Sequence, residues 1–541
     1  MNLQQPTSAV DTVEESDGLS EQPSYYDDED KRISLYSRKE QEKRRKYERL
    51  PDVTLSSLTE TGQDESTIPV LKQRSYTGKG FVPSALANTL CADLGVYGVL
   101  EELNNTLGTS YTLDSVLPVL DSYVAQNCDF GTAYASLRPY WSDIHTIEHK
   151  LCIREQEDRE MRRNVLIHDR ITSPNVRPRR VWDLYANRVV PYWVAGTYPW
   201  GISRAWVNEK DRVNVMTPIN GYEWPVPIPK DASLDLIRIE MLNLGAKYAW
   251  LDVLCLRQEG GKSEHLRLDE WMLDVPTIGW VYATRATYAH HQLIRVVCYF
   301  NGLGRPLDLT LDDFKSDRCW FRRAWTLQEI TPNPIIGGET VNDVMDKEVR
   351  RRFDEKLTSL REIRKLDMTL EILSEMRNRV STKPLDRVAG LVYLVMTDSI
   401  PIYDAEQSEA DAWEVLMDAM EPRNRAELLF YYPEPGNGKK SWRPSWQQVM
   451  MDKDIVFCSS RLSGKVYRTE GLDADWYPGY HIKSGDVRGL TEARMREASR
   501  RRASHQGRQQ GTPYTKNCGR PCIPNTRWVV YTHRLRRQVF N

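Results

Sequence analysis

The sequence predicts an α/β fold with a parallel sheet in residues 180–340. Apolar runs of strand length lie at 189–207, 248–256 and 294–300. Helical stripes alternate with these runs, and the first stripe is formed by Leu234, Ile237, Met241 and Leu244. This alternation is typical of parallel sheets, because parallel strands need crossover connections and these are usually helices.

The elements of this region follow one another in a regular order. The run 189–207 holds one or two strands, interrupted at Pro199 and Gly201. Gly245 ends the first helix, and Pro276 shortens or kinks the second. The stripe of that second helix is Trp271, Val275, Ile278 and Tyr282. A helix carrying Trp325 then leads to a last strand at Ile335–Ile336, and the whole order fits a flavodoxin-like layout.

The region before the sheet divides into a polar part and a helical part. Residues 1–80 contain too few aliphatic side chains to form a core, so we expect them to be disordered. Residues 81–179 are predicted to be helical, because apolar residues recur there at helical spacing. The clearest example is Leu94, Tyr97, Leu100 and Leu103.

The region after the sheet is predicted to be helical at 341–455. Apolar residues advance by threes and fours from 345 to 380, which predicts one long helix. Glycines recur between short alternating pieces at 456–490, a pattern that favours a small β-rich element. Residues 491–541 are basic and poor in aliphatic side chains, so most of this tail is expected to be disordered.

Composition limits the classes of partner and site. Lys plus Arg number 74 and Asp plus Glu 76, so the net charge gives no reason to expect a nucleic-acid partner. Nine scattered cysteines and the lack of a leader pattern indicate a reducing, cytoplasmic setting, and no apolar run is long enough for a transmembrane span. We predict no metal site, because Cys518 with Cys522, and His290 with His291, are pairs that lack further ligands.

Two patches of the sheet region carry unusual polar residues. Asp252 lies inside an apolar run, where a charged side chain needs an interaction partner or a functional role. Trp325 and Glu329 are four residues apart and would share one face of a helix. Structural roles compete with functional ones: Asp252 caps the next loop or pairs with an arginine, the candidates being Arg204, Arg322 and Arg323.

Tryptophans and cysteines near these patches have a structural interpretation too. Trp206, Trp250 and Trp325 would serve as core residues, and this role is favoured for Trp250. Cys255 and Cys319 are interpreted as buried apolar residues rather than nucleophiles, since neither has an adjacent histidine to activate it.

Three blocks of the sequence resemble the fungal heterokaryon incompatibility (HET) domain. They are Gly-Ile-Ser-Arg-Ala-Trp-Val at 201–207, Tyr-Ala-Trp-Leu-Asp-Val-Leu-Cys-Leu-Arg-Gln at 248–258 and Cys-Trp-Phe-Arg-Arg-Ala-Trp-Thr-Leu-Gln-Glu-Ile at 319–330. The chain departs from the family pattern at Arg204, where histidine is usual, at Arg257, where aspartate is usual, and at Ala324, where glycine is usual. Segments at 382–391 and 442–446 resemble sequence downstream of the family's core and extend the resemblance to residues 180–446.

This resemblance implies a fold and a function. The HET fold is thought to be similar to the TIR domain, and the family acts in nonself recognition that triggers growth arrest or cell death. Enzymatic TIR domains cleave NAD with a glutamate one helical turn after a tryptophan, a spacing matched by Trp325 and Glu329. By this resemblance NAD would be a substrate rather than a bound cofactor, and Glu329 the catalytic carboxylate.

The resemblance also suggests binding residues and leaves other functions open. Ser203 and Asp252 would hold ribose hydroxyls, and Arg322 and Arg323 would pair with the pyrophosphate. Arg204 and Trp206, from the first block, complete the set of candidate ligand-binding residues. A different class of function, a scaffold that self-associates into homo-oligomers without catalysis, stays open, and no upstream sensor domain is recognisable in the chain.

Overall fold

The computed structural model describes residues 45, 47–282, 294–340, 345–366, 369–395, 397, 399–432, 434–451, 464–468, 474–480 and 535–540. The histidine pair at 290–291, the cysteine pair at 518 and 522, and residues 1–44 lie outside the described residues. One continuous buried apolar core extends through the described chain from Leu55 to Val449.

The strands of the described residues are β1 (Val53–Ser56), β2 (Ser75–Gly78), β3 (Leu166–Ile167), β4 (Arg170–Ile171), β5 (Arg180–Asp183), β6 (Arg188–Pro191), β7 (Trp200–Arg204), β8 (Arg212–Val215), β9 (Val226–Pro229), β10 (Tyr248–Trp250), β11 (Val296–Tyr299), β12 (Ile335–Ile336), β13 (Ile400–Pro401), β14 (Tyr467–Arg468), β15 (Asp475–Tyr480) and β16 (Leu535–Phe540).

The helices before the last strand of the main sheet are α1 (Ser57–Thr61), α2 (Ser84–Ala87), α3 (Cys91–Leu107), α4 (Leu113–Ala125), α5 (Phe130–Leu137), α6 (Ile147–Val165), α7 (Tyr192–Ala195), α8 (Leu234–Asn243), α9 (Asp252–Cys255), α10 (Arg267–Asp274), α11 (Gly279–Tyr282) and α12 (Thr326–Glu329). Those after it are α13 (Lys347–Leu366), α14 (Thr369–Arg377), α15 (Asp386–Ala389), α16 (Glu409–Ala419), α17 (Pro422–Tyr431) and α18 (Trp446–Met450).

The main sheet has six strands in the order β12-β11-β7-β10-β5-β6. Strands β10, β7, β11 and β12 run parallel to one another, whereas β5 pairs antiparallel with both β10 and the edge strand β6. The predicted α/β class is therefore confirmed, and the sheet is mixed rather than wholly parallel. The antiparallel edge arises because β5 and β6 are joined by a short connection, which leaves no room for a crossover helix.

Register places the ends of the central strands side by side. Ser203 pairs with Cys298 and Arg204 with Tyr299, while Trp250 pairs with Gly201. The carboxyl ends of β7, β10 and β11 consequently meet at one edge of the sheet, which is where open parallel sheets place their ligands.

The prediction of disorder for residues 1–80 is wrong within the described part of that segment. Strands β1 and β2 pair antiparallel, and Leu55, Ile68 and Val70 are buried. The few aliphatic side chains of this segment suffice because they join a core built mainly by residues far away in sequence, which a local count of aliphatics cannot detect.

Of three further element predictions, one needs correction and one is confirmed. The predicted strand at 248–256 ends at Trp250, and the chain turns at once into the single turn of α9, so Asp252 lies at a helix start rather than inside a strand. The predicted long helix at 345–380 corresponds to α13 and α14, between which residues 367–368 lie outside the described chain. Interruption of the helix near Pro276 is confirmed, because α10 ends at Asp274 and α11 begins at Gly279.

The C-terminal part of the described chain contains a second, small sheet. Strands β14, β15 and β16 form it in that order, all antiparallel. The predicted β-rich element at 456–490 supplies β14 and β15. Strand β16 lies in the tail that was predicted to be mostly disordered, and residues 491–534 of that tail lie outside the described chain.

Candidate functional site

The candidate site lies at the carboxyl ends of the parallel strands. Ser203 and Arg204 are the last two residues of β7, and Asp252 is separated from the end of β10 by Leu251 alone. Glu329 ends the single turn of α12, which packs on β7. Three candidate residues from separate sequence blocks, Ser203, Asp252 and Glu329, are thus brought to one edge of the sheet.

Ser203 and Glu329 form the centre of the site. The Ser203 hydroxyl donates to Glu329 Oε2 at 2.5 Å, and the indole Nε1 of Trp320 donates to Ser203 Oγ at 2.8 Å. Ser203 and Trp320 are fully buried, so neither hydrogen bond competes with water. This arrangement fixes the orientation of one carboxylate oxygen of Glu329.

Glu329 titrates in an unusual range. Although part of the residue stays exposed, protein atoms surround its carboxyl group, and this burial raises the pKa of Glu329 to about 7. The nearby charge of Asp252 raises the pKa further, whereas the Ser203 hydrogen bond and the charges of Arg204 and Arg379 lower it. A carboxyl group balanced in this way can change its charge near neutral pH, a property that is common at functional sites.

Arg204 and Asp252 form a two-point ion pair beside this centre. Arg204 Nε and Nη2 each lie 3.0 Å from a different oxygen of Asp252. The guanidinium carbon of Arg204 also lies 4.3 Å from the ring centroid of Trp206, and that of Arg212 lies 5.7 Å from it. The alternative in which Asp252 pairs with an arginine is therefore realised with Arg204, while Asp252 keeps 30% of its side chain exposed.

The two arginines of the third block lie in different places. Arg322 is bound to Asp317 at 2.8 Å and to the Lys315 carbonyl at 3.0 Å, so its contacts are to an outer loop rather than to the site. Arg323 contacts Thr382 Oγ1 at 3.5 Å and interacts electrostatically with Arg204 and Glu329. Of the two predicted pyrophosphate partners, the structure brings only Arg323 to the site.

Trp325 immediately precedes the turn that carries Glu329. Trp325 is the N-cap of α12 and has helical backbone angles, so Trp325 and Glu329 lie at the two ends of a single turn rather than on a longer helix. The Trp325 side chain interacts with Asp386, whose carboxyl also accepts the Tyr403 hydroxyl at 2.9 Å. Burial raises the pKa of Asp386, while these two hydrogen bonds lower it.

Sequence reasoning missed several residues of the site. Trp320 lies within the third block, close to Trp325 in the sequence, and this position could have identified it as a residue of the site. Tyr282 comes from α11 and donates to the Ile202 carbonyl at 3.1 Å, and its ring covers Gly201. Arg379 and Asp386 follow α14, 49 and 56 residues after the end of the third block at Ile330, and carried no local signal that relates them to Glu329.

The other departures from the family pattern have structural roles. Arg257 pairs with Glu223 at 3.1 Å and with Glu270 at 3.3 Å, and it lies over the ring of Trp224. Ala324 is buried and donates its backbone N–H to the Val380 carbonyl at 3.0 Å. Neither residue contributes a side-chain contact to Ser203, Asp252 or Glu329 among the described contacts.

The cysteines and Trp250 of the blocks are core residues. Trp250 is 2% exposed and packs edge-on against Tyr282. Cys255 and Cys319 are buried, and burial raises the pKa of both thiols, that of Cys255 to about 12. A thiol with such a pKa is a poor nucleophile at neutral pH.

No family model, curated protein or solved structure matches this chain. In the part of the chain that the structure describes, no group of three or more His, Cys, Asp or Glu side chains is placed to hold a metal ion. The same part contains no helix that is long and apolar enough to cross a lipid bilayer.

Proposed function

We propose that this chain is a HET-type signalling protein that acts in fungal nonself recognition inside the cell and triggers growth arrest or cell death. Support comes from the three blocks that resemble the HET family, whose polar residues Ser203, Asp252 and Glu329 meet at one sheet edge. The parallel strands β10, β7, β11 and β12 also follow the spatial order second, first, third, fourth, which matches the start of the flavodoxin-like order.

The output of this domain, in the same proposal, is cleavage of the bond between ribose and nicotinamide in NAD. Breaking that bond builds positive charge on the sugar, which a nearby carboxylate stabilises. The observation that carries the proposal is the Ser203–Glu329 pair, a carboxyl with a pKa of about 7 fixed at the strand ends. Arg323 supplies a positive charge beside it for the pyrophosphate.

The decisive experiment measures NAD consumption and nicotinamide release by the full chain and by Glu329→Gln. The variant keeps the shape of the side chain but loses its charge, so we expect turnover to fall by roughly a hundredfold or more. Samples with and without a crowding agent test whether assembly is required.

A matched control is Glu240→Gln. Glu240 is a fully buried glutamate, and its hydrogen bonds go to Gln73, Tyr299 and the Gly338 backbone, away from Ser203. We expect this variant to retain turnover. Equal NAD consumption by wild type and Glu329→Gln would refute the enzymatic part of the proposal.

A second candidate is a non-enzymatic scaffold that signals by self-association. The observation that favours it is the Arg204–Asp252 ion pair: arginine stands where histidine is usual, and it occupies the carboxylate that would hold a ribose. Light scattering of the full chain, combined with growth of fungal cells that express it, separates the two candidates. A scaffold predicts growth arrest that follows assembly and is the same in wild type and Glu329→Gln.

A further inference from the structure

The turn that carries Glu329 is supported from behind by a buried arginine. Arg379 is 1% exposed and comes from the segment that follows α14. Its Nη1 donates to the Arg323 carbonyl at 2.7 Å and to Thr326 Oγ1 at 2.8 Å. Its Nη2 donates to Glu375 Oε1 at 3.2 Å, one helical turn earlier.

These contacts continue to the centre of the site. Thr326 Oγ1, which accepts from Arg379, lies 2.6 Å from the Trp320 carbonyl and donates to it. Trp320 in turn donates through its indole to Ser203, the residue that donates to Glu329. A continuous series of hydrogen bonds, linked through Thr326, Trp320 and Ser203, therefore joins Arg379 to the Glu329 carboxyl.

Backbone pairing holds the same two segments together. The Val380 N–H donates to the Arg322 carbonyl at 2.6 Å, and the Ala324 N–H donates to the Val380 carbonyl at 3.0 Å. The segment after α14 thus forms a short parallel bridge with the residues that precede α12. Because a bridge fixes the distance and direction of both chains, displacement of Arg379 would displace the turn.

The Glu329 carboxyl is also within the electrostatic reach of Arg379. The charged and titratable groups that face Glu329 are Arg204, Asp252, Tyr282, Cys298, Arg323 and Arg379. Tyr282 and Cys298 are buried, and burial raises the pKa of both, so they are neutral at pH 7. The net charge around Glu329 is therefore set by the negative charge of Asp252 and by the positive charges of Arg204, Arg323 and Arg379.

We propose that Arg379 is a positioning residue of this site, which holds the turn that carries Glu329 and presents a fixed positive charge to its carboxyl. Through Arg379 the helices after the sheet control the ionisation of a residue at the strand ends. For its effect on catalysis this inference rests on the proposed function, but its effect on the titration of Glu329 does not.

The test follows the titration of Glu329 through the pH dependence of unfolding of the full chain. Each variant is compared with its own Glu329→Gln partner, so that the difference between the two curves reports Glu329 alone. Arg379→Met removes the positive charge and should raise the midpoint of the Glu329 titration, the pH at which half of its carboxyl groups are ionised, by about half a pH unit or more. Glu375→Gln removes a negative charge that partly neutralises Arg379 and should lower the midpoint.

Two further variants complete the experiment. Arg379→Lys keeps the charge and should return the midpoint towards the wild-type value. Arg238→Met removes another fully buried arginine, whose hydrogen bonds go to residues 82, 84, 184 and 185 and whose ion pair is with Glu60, and should leave the midpoint unchanged even if stability falls. If Arg379→Met does not fold, Glu375→Gln carries the test, because Glu375 keeps 25% of its side chain exposed.

The outcomes are distinct. An unshifted midpoint in Arg379→Met, or in Glu375→Gln if the former does not fold, overturns the inference and leaves Arg379 a purely structural residue. In an active protein the pH profile of NAD cleavage should move with the midpoint. A shifted midpoint without any NAD cleavage would refute the proposed function and support the inference.

Discussion

At the scale of single residues, the Glu329 carboxyl is held between two opposing sets of interactions. Burial and the charge of Asp252 favour the neutral acid, whereas Ser203, Arg204 and Arg379 favour the carboxylate. Their near balance at a pKa of about 7 makes the charge of Glu329 sensitive to small changes in its surroundings. Substitutions around it should therefore change its titration before they change the fold.

The raised pKa of Glu329 predicts how stability depends on pH. A carboxyl whose folded pKa of about 7 exceeds its ordinary value of 4.5 binds its proton more tightly in the folded state. Its favourable contribution is fully present below pH 4.5 and is lost as the pH rises to 7. We expect a loss of about 2–3 kcal/mol across this window, allowing for the partial exposure of the residue.

Chemical denaturation of wild type and Glu329→Gln at several pH values measures this effect. Because the amide of glutamine does not titrate, the free energy of unfolding of the variant relative to that of wild type should be higher at pH 8 than at pH 4. A stability difference that stays constant with pH would contradict the assigned titration.

Ser203→Ala tests the hydrogen bond at the centre of the site. The change removes the donor to Glu329, so the pKa of Glu329 should rise and less carboxylate should be present at pH 7. It also leaves the buried indole N–H of Trp320 without its acceptor, which should cost about 1–3 kcal/mol of unfolding free energy.

A double-mutant cycle with Trp320→Phe separates these two effects. Phenylalanine removes the indole donor, so the stability cost of Ser203→Ala should be smaller in that background, by about 1 kcal/mol. Additive stability losses in the cycle would contradict the hydrogen bond between Trp320 and Ser203.

At the scale of elements, strand β7 and helix α11 approach each other closely at Gly201. A Cβ atom on residue 201 would lie 2.7 Å from Cε1 of Tyr282 and 3.0 Å from its Cδ1. The Tyr282 ring is 1% exposed and its hydroxyl is bound to the Ile202 carbonyl, so the ring cannot move aside freely. The approach fixes the distance between the helix and the strand that carries Ser203.

Gly201→Ala should consequently destabilise the protein by about 1–3 kcal/mol through overpacking, and should reduce any activity that depends on Ser203. Thermal unfolding beside Gly62→Ala provides the comparison. Gly62 has a positive φ of 74° but no atom within 4 Å of its Cβ position, so only backbone strain of about 1 kcal/mol is expected there. Equal effects of the two substitutions on both stability and activity would argue against the close packing at Gly201.

The sheet and part of the site could be predicted from the sequence because their signals are local. Apolar runs and stripes identified β7, β10, β11 and α8, and the buried setting of Asp252 identified a paired acid. The single turn α9 was missed, since one turn is too short to produce a periodic pattern. The helix predicted to carry Trp325 is only the single turn α12, with Trp325 at its N-cap.

Contacts between distant segments account for the remaining errors. Arg379 acts on Thr326 and Arg323 across more than fifty residues of chain, and nothing in its own neighbourhood indicates this. The pairing of β1 with β2 likewise depends on a core supplied by later elements. Single-sequence patterns describe the propensity of a segment but not the partner that it will meet.

At the scale of the whole molecule, the region before the sheet and the sheet itself share buried charged groups. Arg238 of α8 donates to the Val82 carbonyl at 2.7 Å, and Glu240 accepts from Gln73 at 2.7 Å. Asp183 of β5 is fully buried and pairs with Arg138 at 2.6 Å. Each of these groups on the sheet side has at least one buried partner that precedes position 180, so the sheet region is not an independent unit.

A fragment that begins at residue 180 should therefore fail to fold, although it contains the whole six-stranded sheet. The shorter fragment loses the ion pairs of Arg238 with Glu60 and of Asp183 with Arg138, at about 3 kcal/mol or more each, and the Gln73 hydrogen bond to Glu240, at about 1–3 kcal/mol. Their sum reaches the roughly 5–15 kcal/mol that stabilises a typical domain. A fragment of residues 47–451 keeps all three contacts and should unfold cooperatively, whereas the fragment 180–451 should show no thermal transition and should be digested rapidly by protease. A cooperative transition in the shorter fragment would mean that water or rearranged side chains satisfy these charges, and that the sheet and its site can be studied without the N-terminal region.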